Sequence, residues 1–368
     1  MNLNLLLNKD YKVIMTGYKI KFNGIDRLYD EYSWRLTRRA KAAWKSGNVL
    51  QGKYLDQFEN ELAKKYKRKY AVAVANATDG LYFALRCVNI TNNDSVICPV
   101  FSYVATSGAI KRIGCNIDFV DTDKNGNIDV LKISNMDMPK ALVYVNLFGN
   151  VAEYETLRKI CDKRGIVLIE DAAQSQGAKY KNKLSGTLGD LSVFSFDPMK
   201  NMPSFGGGGA ILTDNEDYYK LLKSLRRHGF DSNLKYGYNS LLSDDHANQL
   251  LFLLSKFEKL QKLRKKVFEK YQKNLPQFNF VTTHSNHVSS YHKLVVLVEK
   301  RDELKTYLAQ NGIETKIHYP KILDAINIGQ YPNAEKICSQ ALSLPIYPHL
   351  KMKEVDYVCE RIKKFYGV

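Results

Sequence analysis

A lysine set just after an apolar strand, with a serine five residues earlier, has the makings of carbonyl chemistry. Lys200 stands in such a place, in the run Phe194-Ser195-Phe196-Asp197-Pro198-Met199-Lys200-Asn201. A neutral amine adds to an aldehyde to give an imine, and burial or nearby positive charge lowers a lysine pKa toward the nucleophilic range. The Ser195 hydroxyl suits a phosphate on the same aldehyde. Because the chain is rich in lysine, Lys200 gains weight only from its company. Upstream, Asn76-Ala77-Thr78-Asp79-Gly80 is a polar turn between a strand and a helix, where free N–H groups and the macrodipole favour a phosphate. Glu170-Asp171-Ala172-Ala173-Gln174 follows the strand Ile166–Ile169, and a carboxylate at that rim can keep a heteroaromatic ring nitrogen protonated. Downstream, Gly206–Gly209 lets the backbone turn sharply and come close. Each has a plainer reading as a helix cap, a metal ligand or a loop, and no companion metal ligands stand near Asp171. Their order (phosphate turn, aspartate, serine, lysine, glycines) is the layout an aldehyde cofactor with a ring nitrogen and a phosphate needs.

These residues need a frame that brings strand ends together. From Tyr70 onward short apolar runs alternate with helix-length amphipathic segments. Strands are expected at Tyr70–Ala75, Ser95–Pro99, Asn116–Val120, Ala141–Asn146 and Ile166–Glu170. Helices are expected at Thr78–Arg86, Ala105–Arg112 and Glu153–Lys163, and an antiparallel pair at Leu191–Phe196 and Gly209–Thr213. Such alternation predicts a mostly parallel sheet covered by helices on both faces, with sites at the strand ends. The texture changes after Asp244, where a long helix runs to about Gln272. A strand at Tyr291–Val298 and helices at Asp302–Asn311 and Lys353–Phe365 then predict a smaller α+β domain. The expected division is a large α/β domain over 1–275 and a small C-terminal domain over 276–368.

The 368 residues are 45% hydrophobic and 25% charged, an ordinary globular composition. Six singly placed cysteines show no metal or redox spacing, and they predict reduced thiols of a cytoplasmic protein. No run is long enough to cross a bilayer, and the short apolar stretch Leu3–Leu7 lacks the features of a signal peptide. The formal charge of +17 admits a polyanion-binding reading. The basic residues, however, are interleaved with acidic and apolar ones, as in Lys256–Lys273, which is the pattern of a solvated helix face. No nucleic-acid recognition helix or aromatic RNA-binding signature is present, so neither nucleic acid nor membrane is an expected partner.

The clusters and their spacing resemble the DegT/DnrJ/EryC1/StrS family of sugar aminotransferases, within the fold-type I pyridoxal-phosphate enzymes. The resemblance extends from about Gly47 to the C-terminus. It rests on stretches such as SGNVLQGKYLDQFENELAKKY, NATDGLYFAL, EDAAQSQGA, GTLGDLSVFSFDPMKN, GGGGAILT, GYNSLLSDDHANQL and LSLPIYP. It implies an aspartate-aminotransferase-like fold, with a mostly parallel seven-stranded sheet sandwiched by helices and a smaller C-terminal α+β domain. It also implies pyridoxal 5'-phosphate as cofactor and no metal. By the same resemblance Lys200 holds the cofactor and shuttles the proton, Asp171 pairs with the pyridine nitrogen, and Tyr103 stacks on the ring. Gln174 serves the phenolic-oxygen side, and Ser195 with the backbone of Ala77 and Thr78 holds the phosphate. Asn239 matches a position supplied by the partner subunit, which implies a homodimer with shared sites. His318 and Tyr319 sit where the small domain approaches the sugar. The chain departs from the family pattern at Ala77, where glycine is usual, at Leu241, where many relatives carry Arg or Asn, and at Asp197, where an aromatic is common.

The expected reaction is transamination from L-glutamate to a nucleotide-linked keto-6-deoxyhexose, with a dTDP-4-keto-6-deoxy sugar as the favoured acceptor. The alternatives are a 3-keto acceptor and, on the same scaffold, a sugar dehydratase. Relatives that dehydrate replace the lysine with histidine, so Lys200 favours transamination.

Overall fold

The computed structural model describes residues 17–133, 139–230, 236–283 and 286–368. The apolar stretch Leu3–Leu7 lies outside them. Two helices, α1 (Ile25–Lys45) and α2 (Lys53–Tyr66), precede the first strand. The α/β part then runs β1 (Tyr70–Val74), α3 (Ala77–Cys87), β2 (Ser95–Pro99), α4 (Val104–Lys111), β3 (Asn116–Val120), β4 (Ala141–Val145), α5 (Tyr154–Arg164) and β5 (Val167–Asp171). Two short strands, β6 (Lys179–Tyr180) and β7 (Lys183–Leu184), lead to β8 (Leu191–Ser195), β9 (Gly209–Thr213) and α6 (Glu216–Leu225). The chain continues through the long α7 (Asp244–Asn274), β10 (Asn279–Phe280), β11 (His287–Val288), β12 (Leu294–Leu297) and α8 (Arg301–Gln310). It closes with α9 (Pro332–Gln340), β13 (Ala341–Leu344) and α10 (Met352–Tyr366).

The central sheet has seven strands in the order β1-β9-β8-β5-β4-β2-β3. Only β9 runs against its neighbours, and the other pairings are parallel. This is the mostly parallel sheet that the alternation predicts. Side chains alternate across it with a period of two. Ala71, Ala73, Phe194, Ala210 and Leu212 join the layer built by α1, α2 and α7. Val72, Val74, Val193 and Ile211 join the opposite layer under α3 and α6. Both faces are therefore dry, which is why these strands read as continuous apolar runs rather than as alternating ones.

The C-terminal part is built on the antiparallel sheet β10-β12-β13. Its core joins β12, β13, α8 and α10 with Val267, Phe268 and Tyr271 at the end of α7. Ile20, near the start of the described chain, enters the same core and bridges to Ile313. A second cluster packs Phe101 and Phe148, from loops at the sheet's rim, against Val295, Tyr331 and Ile337. The C-terminal part is thereby held over the strand ends.

One expected strand is shorter than its sequence implies. Tyr291 takes a φ of 53° and the ladder begins only at Leu294. Residues 291–293 therefore lie outside the strand.

Candidate active site

The carboxyl ends of β1, β2, β5 and β8 and the start of β9 open onto one cavity of about 390 Å³. Ala77, Thr78, Tyr103, Asp171, Gln174, Ser195 and Lys200 line it, and the C-terminal part adds His318 and Tyr319. Of the residues to which the resemblance gives a role in the site, only Asn239 is not part of its lining. A wider open groove of about 620 Å³ follows α1, past Trp34, Arg38 and Lys41, but no acid lines it. Convergent reactive groups, more than volume, mark a site.

Asp171 and its neighbour Glu170 show how one strand end divides two carboxylates. Successive side chains of β5 leave opposite faces. Glu170 is fully buried and accepts hydrogen bonds from Ser185 Oγ and Ser192 Oγ at 2.7 Å, Asn146 Nδ2 and Gly186 N at 2.9 Å, and Leu188 N at 3.0 Å. With every lone pair engaged, it is a structural anchor. Asp171 faces the cavity instead, accepting from Thr106 Oγ1 at 3.0 Å and from Ala173 N at 3.1 Å. Burial pushes its carboxyl above the usual aspartate range, against the lowering effect of the Ala173 N–H, the Thr106 hydroxyl and Lys200. A cation placed against it would restore the carboxylate. Thr106, at the start of α4, carried no sequence signal, because the contact joins positions 65 residues apart.

Lys200 rides on the connection between β8 and β9. The Asp197 carboxylate accepts the Met199 N–H at 2.8 Å, and the Lys200 N–H donates to Asp197 O at 2.9 Å. Asp197, one of the departures from the family pattern, thus builds the turn that presents the lysine. Phe196 N donates to Gly208 O and Ser204 N to Phe196 O, closing the base of the loop. Burial lowers the lysine's pKa, while the nearby Asp171 and Asp197 raise it. A lowered pKa leaves more of the free amine at neutral pH, which is the form that attacks a carbonyl.

At the far end of the cavity, Asn76 caps α3 by accepting the Asp79 N–H at 2.8 Å. The first-turn N–H groups of Ala77 and Thr78 cannot pair within the helix, and both residues line the cavity. Gly209 begins β9 so close to this turn that a Cβ there would lie 2.7 Å from Ala77 N. Ser195 and Gly207–Gly208 complete a concave, donor-rich wall suited to a phosphate. Donors at one end, a buried carboxylate at the other and an amine between them fit a phosphorylated pyridine aldehyde.

Gln174 accepts the Phe148 N–H at 3.0 Å and donates through Nε2 to the Tyr319 hydroxyl at 2.9 Å. It thereby links the strand end to the C-terminal part. Burial raises the Tyr319 phenol's pKa. His318 Nδ1 lies 2.8 Å from Ser343 Oγ, and burial, with Lys293, Lys200 and Lys316 nearby, lowers its pKa to about 2. The ring is neutral at physiological pH. His292 and Lys293 also line the cavity, and neither was singled out from sequence because their run reads as a strand interior.

Asn239 is exposed and bridges to Arg227 on the outer side of the phosphate turn. Its neighbour Ser240 ties this segment to the turn, donating to Asp79 Oδ2 at 2.8 Å. Leu241 packs on the core beneath α1, α2 and α7. Among the described residues no group of His, Cys, Asp and Glu could hold a metal, and no helix is long and apolar enough to cross a membrane.

Comparison with known proteins accords with this geometry. The model of the DegT/DnrJ/EryC1/StrS aminotransferase family matches residues 33–363. The chain is 32% identical to the UDP-2-acetamido-2-deoxy-3-oxo-D-glucuronate aminotransferase of Pseudomonas aeruginosa, covering 85% of this chain and 91% of that protein. The crystal structure of DesV from S. venezuelae, in complex with a ketimine intermediate, superposes with a TM-score of 0.91 at 30% identity, covering 96% and 99%. NtdA from Bacillus subtilis, solved with bound cofactor PMP, superposes with a TM-score of 0.86 at 26% identity, covering 95% and 86%. With a family model matched over most of its length and the same fold around a lysine and an aspartate at the strand ends, the chain belongs to the DegT/DnrJ/EryC1/StrS aminotransferase family.

Proposed function

We propose that this aminotransferase binds pyridoxal 5'-phosphate through Lys200 and moves an amino group from L-glutamate to a keto-sugar carried on a nucleotide. The observation that carries the reading is the convergence of Lys200, Asp171 and the amino end of α3 on one cavity. The cofactor, when bound, supplies an aldehyde and an electron-withdrawing ring. Asp171 holds the ring nitrogen protonated, and Ser195 with the Ala77 and Thr78 N–H groups holds the phosphate. Tyr103 covers the ring, Gln174 serves its oxygen side, and Lys200 moves the proton between carbon atoms. His318 and Tyr319 meet the sugar. The six cysteines are free and buried, consistent with a cytoplasmic setting.

For the acceptor, the family resemblance favours a dTDP-4-keto-6-deoxyhexose. The 3-keto alternative draws support from the P. aeruginosa relative, named for a 3-oxo sugar, and from a 30%-identical dTDP-3-amino-3,4,6-trideoxy-glucose transaminase of Streptomyces venezuelae. Purified protein loaded with the cofactor should aminate one member of a panel of 3-keto and 4-keto nucleotide sugars, with glutamate consumed in equal amount. If glutamate leaves the cofactor unaminated and no sugar is aminated, the reading fails.

Asn239 is outside its own cavity, which is where a residue given to a partner's phosphate site belongs. Mixing an Asn239→Ala protein with a Lys200→Ala protein should therefore restore part of the lost activity, because half of the sites in mixed dimers are intact. Absence of recovery, with subunit exchange confirmed by native mass spectrometry, would mean that each chain builds its site alone.

A further inference from the structure

Lys293 is a buried amine without an anionic partner. It is only 8% exposed, and its amino group has no hydrogen bond and no ion pair among the described residues. The Phe22 ring lies against it, with its centroid 4.8 Å from Nζ. A ring face offsets only part of the cost of taking an ammonium out of water. The charges around it make matters worse. Lys200, Arg264 and Lys316 all disfavour its protonated form, and Asp197 alone favours it. Arg264 is itself buried and donates to a backbone carbonyl, that of Ile346, while Lys316 is paired with Glu314. His292 and His318, the imidazoles nearby, are held neutral by burial and by these same cations. Asp197 is already committed to the Met199 N–H. The protein therefore supplies Lys293 with positive neighbours and no counterion, and the side chain's outlet is the cavity that also holds Lys200.

An amine so placed becomes a strong anion receptor when an anion arrives, because the incoming charge restores its proton and the pair forms in a low-dielectric pocket. The cofactor phosphate belongs on the donors at the start of α3. In a nucleotide-linked hexose the phosphates sit on C1, several bonds from the keto carbon that Lys200 serves, so they lie away from the part of the cavity that Lys293 shares with Lys200. What meets Lys293 is the part of a substrate next to the reacting carbon. We propose that Lys293 is the carboxylate-recognition residue of this site, pairing with a carboxylate carried by the amino donor or by the sugar. The proposal rests on the aminotransferase reading and adds to it a determinant of substrate choice.

The test uses the cofactor-loaded enzyme as wild type, Lys293→Met and Lys293→Arg. Calorimetric titration with glutarate, an unreactive dicarboxylate, reads the anion site without turnover. Single-turnover absorbance then follows each half-reaction separately, with glutamate, with a nucleotide-linked keto-hexuronate and with its uncharged 6-deoxy counterpart. Lys293→Met should weaken at least one carboxylate ligand by about ten- to hundredfold, the range lost with a charge-assisted hydrogen bond. The 6-deoxy sugar should change little, and Lys293→Arg should recover most of the loss. A defect confined to glutamate and glutarate assigns the donor's carboxylate, and one confined to the hexuronate assigns the sugar's. Unchanged affinity for all three carboxylate ligands, or an equal loss with the 6-deoxy sugar, overturns the proposal. Removing an unpaired buried amine should not lower the melting temperature, and Lys293→Gln replaces Lys293→Met if that protein does not fold. Should the wild type prove inactive on every sugar, the function reading fails, and the glutarate titration still decides whether Lys293 receives a carboxylate.

Discussion

Lys200→Ala should abolish transamination while leaving the fold intact. The expected loss is about 10⁴-fold or more, since a positioned proton carrier alone contributes ~10²–10⁴ and the covalent hold on the cofactor goes with it. The near-visible absorption of the lysine-bound cofactor should vanish. Stability should move the other way. Burial lowers the Lys200 pKa in the folded protein, so the unfolded chain binds the extra proton more readily. The cost is absent above the ordinary lysine value and grows as pH falls through the range between the two values. At neutral pH the cofactor-free variant should therefore melt at the same temperature as wild type or higher, which calorimetry can measure. A variant that keeps its turnover, or one that loses activity only because it unfolds, would return Lys200 to a structural role.

Asp171→Asn should be nearly as damaging through a different route. The amide keeps the side chain's shape, and its one oxygen can still accept from Ala173 N–H while its NH2 group donates to Thr106 Oγ1, but it carries no charge. Breaking a buried ion pair on one side costs about 3–5 kcal/mol. At 1.36 kcal/mol per decade this is roughly 10²- to 10⁴-fold in the rate of the step that needs the protonated ring. Cofactor affinity should suffer less, because the phosphate end is untouched. Burial raises the Asp171 pKa, so this group stabilises the fold below the ordinary aspartate value and loses that contribution as pH rises through the folded value. Above that window the cofactor-free variant should be at least as stable as wild type, and below it the difference should disappear. Turnover like the wild type's would identify Asp171 as a cap. A loss of stability at neutral pH, in parallel with activity, would mark it as an anchor of the kind Glu170 is.

The contrast between those two neighbours separates what could be read from the chain alone from what could not. The order of strands and helices from Tyr70 to Thr213 was legible because each element is written in its own local period, and the polar turns between them are local too. The site residues at β1, β5 and β8 followed, since a strand end is a place that sequence can mark. The helices α1, α2, α6 and α9 were not read, although Pro332 at the start of α9 is a recognisable signal. The strand expected at Tyr291–Val298 was too long, because an apolar run cannot announce a positive φ at Tyr291.

By itself, then, the sequence determined the α/β architecture and which strand ends carry the candidate lysine, aspartate and polar turn. Only the tertiary structure decided how their properties are set. Which of Glu170 and Asp171 is saturated and which faces the cavity depends on Ser185, Ser192 and Thr106, brought in from other turns. The link from Gln174 to Tyr319 joins positions 145 residues apart, and Lys293 and Arg264 come together only when the C-terminal part closes over the sheet. Secondary structure arises from neighbours in the chain, whereas a pKa, a counterion or its absence arises from neighbours in space, and those exist only once the layers have packed.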